Sequence, residues 1–477
     1  MSAQALWHID DMVAAMLAAP SGALPRAITG ISIDSRTVAP GEAYFAIKGD
    51  LHDGHEFVAA ALANGAAVAV VAQAQRHRFA DTMPLLVVPD VLGALVALGV
   101  AARARLGGRV IAVTGSVGKT STKEALRHVL GGQGRTHASV ASFNNHWGVP
   151  LTLARCPADA AFAVFEIGMN HAGEIEPLVR MARPHVAIIT TVEPVHLEFF
   201  TGIEAIADAK AEIFAGVEPG GAAVLNRDNA QFARLRRSAE ARGIARIVSF
   251  GAAAEADARL LDVSLHPSCT AVHAAILGQD ITYKIGMPGR HMAMNSLAVL
   301  AAAQLVGADL VTAALALAEF RPAAGRGVQV TLALPQGTST LIDESYNANP
   351  ASMAAALNVL GQATVAPRGR RIAVLGDMLE LGASGPDLHR ALGEPILANR
   401  VDLVFCCGPL MRNLWDALPS ARRGGYAETS AALESAVVGA LRAGDAVMVK
   451  GSLGSRMKVI VQALEKRFPA NAAFDDV

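Results

Sequence analysis

An apolar run, RVIAV (Arg109 to Val113), passes through a glycine turn, TGSVG, directly into the helix-like stretch KTSTKEALRHVL. Strand, glycine turn, lysine and hydroxyl in that register make a loop whose backbone N–H groups hold phosphates at a helix N-terminus. The loop would span Thr114, Gly115, Ser116, Val117, Gly118, Lys119, Thr120 and Ser121. Lys119 is placed to neutralise β/γ-phosphates, and the Thr120 hydroxyl to bind Mg²⁺. The spacing is unusual, because the common phosphate loop carries a glycine five residues before its second one. That position is Val113 here, and the upstream glycine is Gly115. A GTPase would also carry an N-K-x-D guanine reader. The nearest stretch, NRDN (Asn226 to Asn229), departs from it at two positions, which favours ATP.

Around this loop, strand-like runs alternate with helical ones, the pattern of α/β layers with largely parallel sheets. A chain of 477 residues exceeds one ordinary core, so several domains are expected. Three blocks emerge: residues 1–90 as a small α/β unit, 91–322 as a central unit holding the loop, and 323–477 as a third strand–helix unit. The stretch FRPAAGRG (Phe320 to Gly327) is the hinge before the third. No internal repeat is visible.

The balance of 41 basic and 42 acidic residues gives no pull toward nucleic acid or an anionic membrane. HMAMNSLAVLAAAQLVGA (His291 to Ala308) is interrupted by Asn295, Ser296 and Gln304 and is expected as a buried soluble helix. MSAQALWHIDDM has no basic region before an apolar one, so no secretion signal is read there. Cys156, Cys269, Cys406 and Cys407 lack metal-ligand spacing, and adjacent Cys406 and Cys407, in the strand-like run VDLVFCCG, are expected as core thiols of a reducing cytosol.

Outside the loop, Glu166 ends the apolar strand AFAVFEI, at the edge that lines the ligand crevice of open parallel sheets. A carboxylate there suits Mg²⁺. Read from the residues alone, His196 is a satisfied structural histidine and Lys210 a solvated helical lysine.

The shortened loop T-G-x-x-G-K-T resembles that of the Mur ligase superfamily, and the likeness extends along nearly the whole chain. It implies a three-domain α/β architecture: a small N-terminal domain, a central parallel-sheet ATP domain and a Rossmann-like C-terminal domain. It also implies amide ligation through an acyl phosphate. By resemblance, Glu166, His196 and Lys210 join Thr120 in holding Mg²⁺, expected as two ions, with Lys210 carbamylated. Lys119, His196, Lys210 and Arg326 become the catalytic set, while Asn295 sits near adenine and Asp343 on the ribose and phosphate side. Arg326 on the hinge makes physical sense, since closure would bring a guanidinium onto charge developing at the γ-phosphate.

Within the family, the first block resembles the UDP-binding domain, with Ser35, Arg36, Lys48 and Gly49 as candidate contacts. DESYNANP (Asp343 to Pro350), LGDMLELG (Leu375 to Gly382) and SFNNHWGVPLTL (Ser142 to Leu153) resemble the branch that adds D-alanyl-D-alanine. Asn144 and Asn145 are then candidate readers of the peptidyl substrate, and Tyr346, Asn347 and Asn349 of the dipeptide. The partners so implied are UDP-N-acetylmuramoyl-tripeptide and D-alanyl-D-alanine, handled by a cytoplasmic monomer without stable membrane association. The rivals are the third-residue-adding branch, whose D-N-P-R or D-D-P-R segment is missing, and folylpolyglutamate synthase, which would not explain the first block. A third rival, of another class, is a regulator that only binds ATP.

Overall fold

The structure, a computed structural model, describes residues 4–140 and 142–469. The first three residues of MSAQALWHIDDM and the last eight of the C-terminal block lie outside the described residues.

The apolar runs of the central block become one nine-stranded sheet. From one edge it runs Thr136–Ala138, Phe162–Glu166, Arg109–Thr114, Val186–Ile189, Ala222–Asn226, Arg246–Gly251 and Ala258–Leu265, all parallel. Thr270–Ile276 and Gln279–Ile285 then close it as an antiparallel meander. Parallel strands must bury both faces, which is why these sequences are continuously apolar instead of alternating. Ile111 and Val113 pack on one face with Leu126, Val129, Leu297 and Leu300 from the helices Lys119–Gly131 and Arg290–Leu305. Val110 and Ala112 pack on the other with Leu178, Val179 and Phe214.

Register decides where the chemistry gathers. Glu166 pairs with Val113, and Ile189 with Thr114, so three strands end together. The segments that follow them therefore meet at one carboxyl edge. The loop strand also lies where chain order reverses, with earlier crossovers to one side and later ones to the other, the position at which open α/β sheets bind ligands.

The third block forms a six-stranded sheet, parallel except for its edge strand Val328–Leu334. The first block holds a five-stranded sheet, four strands of it parallel. Helix Val91–Arg105 buries Leu95 and Leu98 among Phe45 and Leu86 of that sheet, and Leu151 of the central block joins the same cluster. The two blocks thus share one core. Phe320–Gly327 connects the central and third blocks as irregular backbone, with Gly325 and Gly327 at φ 74° and 97°.

Arg290–Leu305 is a buried helix as expected, and among the described residues no helix is long and apolar enough to cross a membrane. Several strands carry no readable signal. Arg423–Ala427 is RGGYA, Thr136–Ala138 is three residues long, and Thr270–Ile276 alternates small residues with a histidine. Their place in the sheets is set by pairing with neighbouring strands, although Val272, Ala274 and Ile276 of the last still bury into the central core.

Candidate active site

The Thr114–Ser121 loop needs both its glycines. Gly115 has φ +144°, and a Cβ there would run into Thr190 Oγ1. Gly118 has φ +89°, and a Cβ there would sit 2.8 Å from Asn295 Nδ2. Thr190 Oγ1 donates to Val117 O at 2.5 Å, and Ser116 N donates to Thr191 O at 2.9 Å. Ser116 Oγ donates to Glu193 O at 3.0 Å. The TTVE segment after the next strand therefore laces the loop shut. Helix Lys119–Gly131 starts with no side-chain cap. Its first N–H groups are thus left for a ligand at the positive end of the helix dipole.

Lys119 Nζ donates to Gly115 O at 2.6 Å. Part of its side chain faces the cavity, yet protein crowds the ammonium. That desolvation pulls its pKa down, Glu166 pulls it back up, and Arg326 lowers it further. Thr120 Oγ1 donates to Glu166 Oε2 at 2.8 Å, and Asn144 Nδ2 donates to Glu166 Oε1 at 2.8 Å. Glu166, 1% exposed, is thereby aimed by two neighbours.

Lys210 is buried near the end of helix Ile203–Ala211. Burial, with Lys119 adding like-charge repulsion, pulls its pKa well below the usual lysine range. No hydrogen bond or ion pair reaches its ammonium from the described residues. His196 has its pKa lowered, mainly by burial, against the raising pull of Glu380; Lys119 and Lys210 lower it too.

One cavity of about 450 Å³ joins these groups. From the central block it takes Ser116 to Ser121, Asn144, Glu166, His196 and Asn295; from beyond the hinge it takes Tyr346, Asn347 and Asn349; and Arg326 comes from the hinge itself. The Arg326 guanidinium lies 4.1 Å over the Tyr346 ring and donates to Ser142 Oγ at 3.3 Å, touching both sides.

Some expectations shift. Asp343 turns away from the cavity: its Oδ1 accepts from Ser345 N at 3.0 Å and from Ser345 Oγ at 2.6 Å. Its neighbour Glu344, paired with Lys450 Nζ at 3.0 Å, lines the cavity instead, because adjacent strand residues face opposite ways. Asn145 is used locally, its Oδ1 accepting from Trp147 N at 3.2 Å and Gly148 N at 3.0 Å. Asn349 reaches the cavity but caps helix Pro350–Gln362 through Ser352 N at 2.9 Å. The Asn347 amide makes no hydrogen bond to any described residue. Thr114, Gly115 and Lys210 do not line the cavity.

The N-terminal candidates are elsewhere. Arg36 is exposed and pairs with Asp34 at 2.7 Å, Ser35 O accepts from Asn64 at 2.9 Å, and the Lys48 backbone forms an isolated antiparallel β-bridge with Asp53. Gly49 abuts the Trp147 ring, a side chain missed although its segment had been singled out. Glu193, Thr190, Glu344 and Lys450 were missed as well. Thr190 and Glu193 follow a strand end and Glu344 and Lys450 close theirs, and that placement was the available signal.

Comparison with known proteins bears on this arrangement. Family models described as "Mur ligase family, catalytic domain", "Mur ligase middle domain" and "Mur ligase, glutamate ligase domain" match residues 27–104, 113–303 and 330–453. The UDP-N-acetylmuramoyl-tripeptide–D-alanyl-D-alanine ligase of Escherichia coli is 33% identical, covering 92% of this chain and 94% of its own. That of Bacillus subtilis is 33% identical over 96% and 97%. A crystal structure of MurF from Acinetobacter baumannii superposes with a TM-score of 0.82 at 29% identity, covering 96% of this chain and 99% of that one. The MurF ligase of Thermotoga maritima in complex with ADP does so at 0.75 and 26%, covering 92% and 98%.

Proposed function

The chain belongs to the Mur ligase family, and from that premise we infer that it adds D-alanyl-D-alanine to UDP-N-acetylmuramoyl-tripeptide at the expense of ATP, in peptidoglycan synthesis. One observation carries the reading: the phosphate loop and the DESYNANP segment, on opposite sides of the hinge, line a single cavity.

The tripeptide carboxylate takes the γ-phosphoryl group of ATP, giving an acyl phosphate and ADP. The dipeptide amine then attacks the acyl carbon, the C–O bond to phosphate breaks, and the amine proton is lost as the amide forms. Lys119 and Arg326 stabilise the transferring phosphoryl charge. The third domain brings the amine and excludes water, which would otherwise hydrolyse the acyl phosphate.

Thr120 and Glu166 fit a hard cation such as Mg²⁺, with His196 and a carbamylated Lys210 suiting a second. Among the described residues no three or more His, Cys, Asp or Glu groups could hold a metal alone. When bound, Mg²⁺ would neutralise phosphate charge. We place the domains at 1–90, 91–322 and 323–477, with UDP held by the first around Ser35, Arg36 and the Lys48–Gly49 turn. The enzyme works as a cytoplasmic monomer.

Purified protein should release phosphate only when UDP-muramyl tripeptide, D-Ala-D-Ala and ATP are all present. Release that instead requires UDP-muramyl dipeptide and a free amino acid would favour the third-residue-adding activity, and no release would favour a regulator. A finer test concerns Asn347, whose amide is the uncommitted one of its segment. Asn347→Ala should raise the KM for D-Ala-D-Ala about tenfold, the loss of one or two hydrogen bonds, and spare nucleotide binding. Unchanged dipeptide kinetics would leave Asn347 a turn residue only.

A further inference from the structure

The LGDMLELG motif contains a residue that the reaction above does not use. Glu380 Oε2 lies 2.6 Å from His196 Nδ1, a contact between the third and central domains spanning 184 residues of chain. Glu198 N donates to Glu380 O at 3.4 Å, and a Cβ on Gly382 would touch Glu198 Cα at 3.3 Å, so the two loops are in close contact.

Backbone conformation marks the same pair. Seven non-glycine residues among those described have positive φ. Leu17, Arg183, Arg400 and Arg456 follow helical segments, and Leu277 turns a hairpin. His196 at 54° and Glu380 at 62° do neither, and they touch each other. A left-handed non-glycine residue is strained and persists where its surroundings over-determine it.

The segment leading into Glu380 is firmly held, while its own side chain is 45% exposed. Asp377 Oδ1 and Oδ2 accept from Met411 N at 2.7 Å and Leu410 N at 3.2 Å. Met378 N donates to His389 Nε2 at 2.9 Å, and Leu379 N to Ser452 Oγ at 3.0 Å. A carboxylate on so rigid a support can orient what it contacts.

We propose that Glu380 is a positioning residue: docking of the C-terminal domain brings its carboxylate onto His196 Nδ1, fixing the proton there and leaving the Nε2 lone pair for the reaction centre. Orientation of the histidine and arrival of the domain that brings the amine are then one event. A carboxylate behind a histidine sets its tautomer and ring direction, and removing such a partner typically costs about 10–100-fold. The inference rests on the ligase reading and on His196 serving it.

The test compares Glu380→Ala, Glu380→Gln, His196→Ala and the Glu380→Ala/His196→Ala double variant. Glu380→Ala should lower kcat about 10–100-fold, with the KM for ATP and for D-Ala-D-Ala moving less than about threefold and the melting temperature unchanged. Glu380→Gln, which keeps an acceptor oxygen, should recover much of the loss. In the His196→Ala background the Glu380→Ala change should cost nothing further. Nitrogen NMR of labelled histidine in ligand-free protein should show His196 protonated at Nδ1 in the wild type, and a tautomer mixture in Glu380→Ala. Losses that multiply in the double variant, or an unchanged tautomer, would overturn the proposal. Absence of wild-type turnover would instead sink the ligase reading, since the NMR readout needs no substrate.

Discussion

Lys119→Ala should lower ligation by about a hundredfold to a thousandfold in a protein that still folds, as removing one preorganised charge from a transition state does. The expectation follows from where the ammonium sits. It starts helix Lys119–Gly131, closes the loop onto Gly115 O at 2.6 Å, and is desolvated. In a water-poor site a cation facing transferring phosphoryl charge is worth far more than the same pair in water. The fold should survive, because the loop is also held by Thr190 and Glu193 through bonds that omit the lysine side chain. Near-normal turnover in a variant with native circular dichroism and melting temperature would refute the role. A comparable drop with Lys119→Arg would sharpen it, since a guanidinium does not fit a cradle shaped for an ammonium.

Lys210→Ala should be about as damaging, a hundredfold or more, and high bicarbonate should not restore it. A buried lysine without a counter-charge is poorly explained as structure, because burying an unpaired ammonium is costly. Burial first, and then Lys119, favour its neutral form. A neutral amine attacks the carbon of CO₂, forms an N–C bond and releases a proton. The product is an anion beside Lys119, where charge attraction replaces the repulsion that an ammonium at Lys210 would meet. Wild-type protein given isotopically labelled bicarbonate should therefore show a carbamate carbon resonance that Lys210→Ala lacks. A fully active enzyme with unmodified Lys210 at ambient CO₂ would end this reading. It would leave His196 and Glu166 to hold whatever ions the reaction uses.

How much was legible before folding depends on the range of the interaction. The strand–loop–helix unit at Arg109–Gly131, the strand-end position of Glu166, the buried helix Arg290–Leu305 and the Phe320–Gly327 break were all determined locally. They rest on apolar runs, glycine conformation and helix starts, which a sequence displays directly. So did the family, through several dispersed motifs. What the tertiary structure alone decided was side-chain direction and long-range pairing. Whether Asp343 or Glu344 enters the cavity turns on the parity of strand Gly337–Glu344, because a one-residue shift exchanges the faces. Of Asn144 and Asn145, folding turns the first onto Glu166 and the second onto its own turn, and whether Asn347 or Asn349 is left to meet a ligand depends on which of them caps helix Pro350–Gln362. The meeting of His196 with Glu380, and of Gly49 with Trp147, depends on how separate domains dock. No periodicity encodes such contacts: their partners are far apart in the chain, and only the packing of complete sheets brings them within reach.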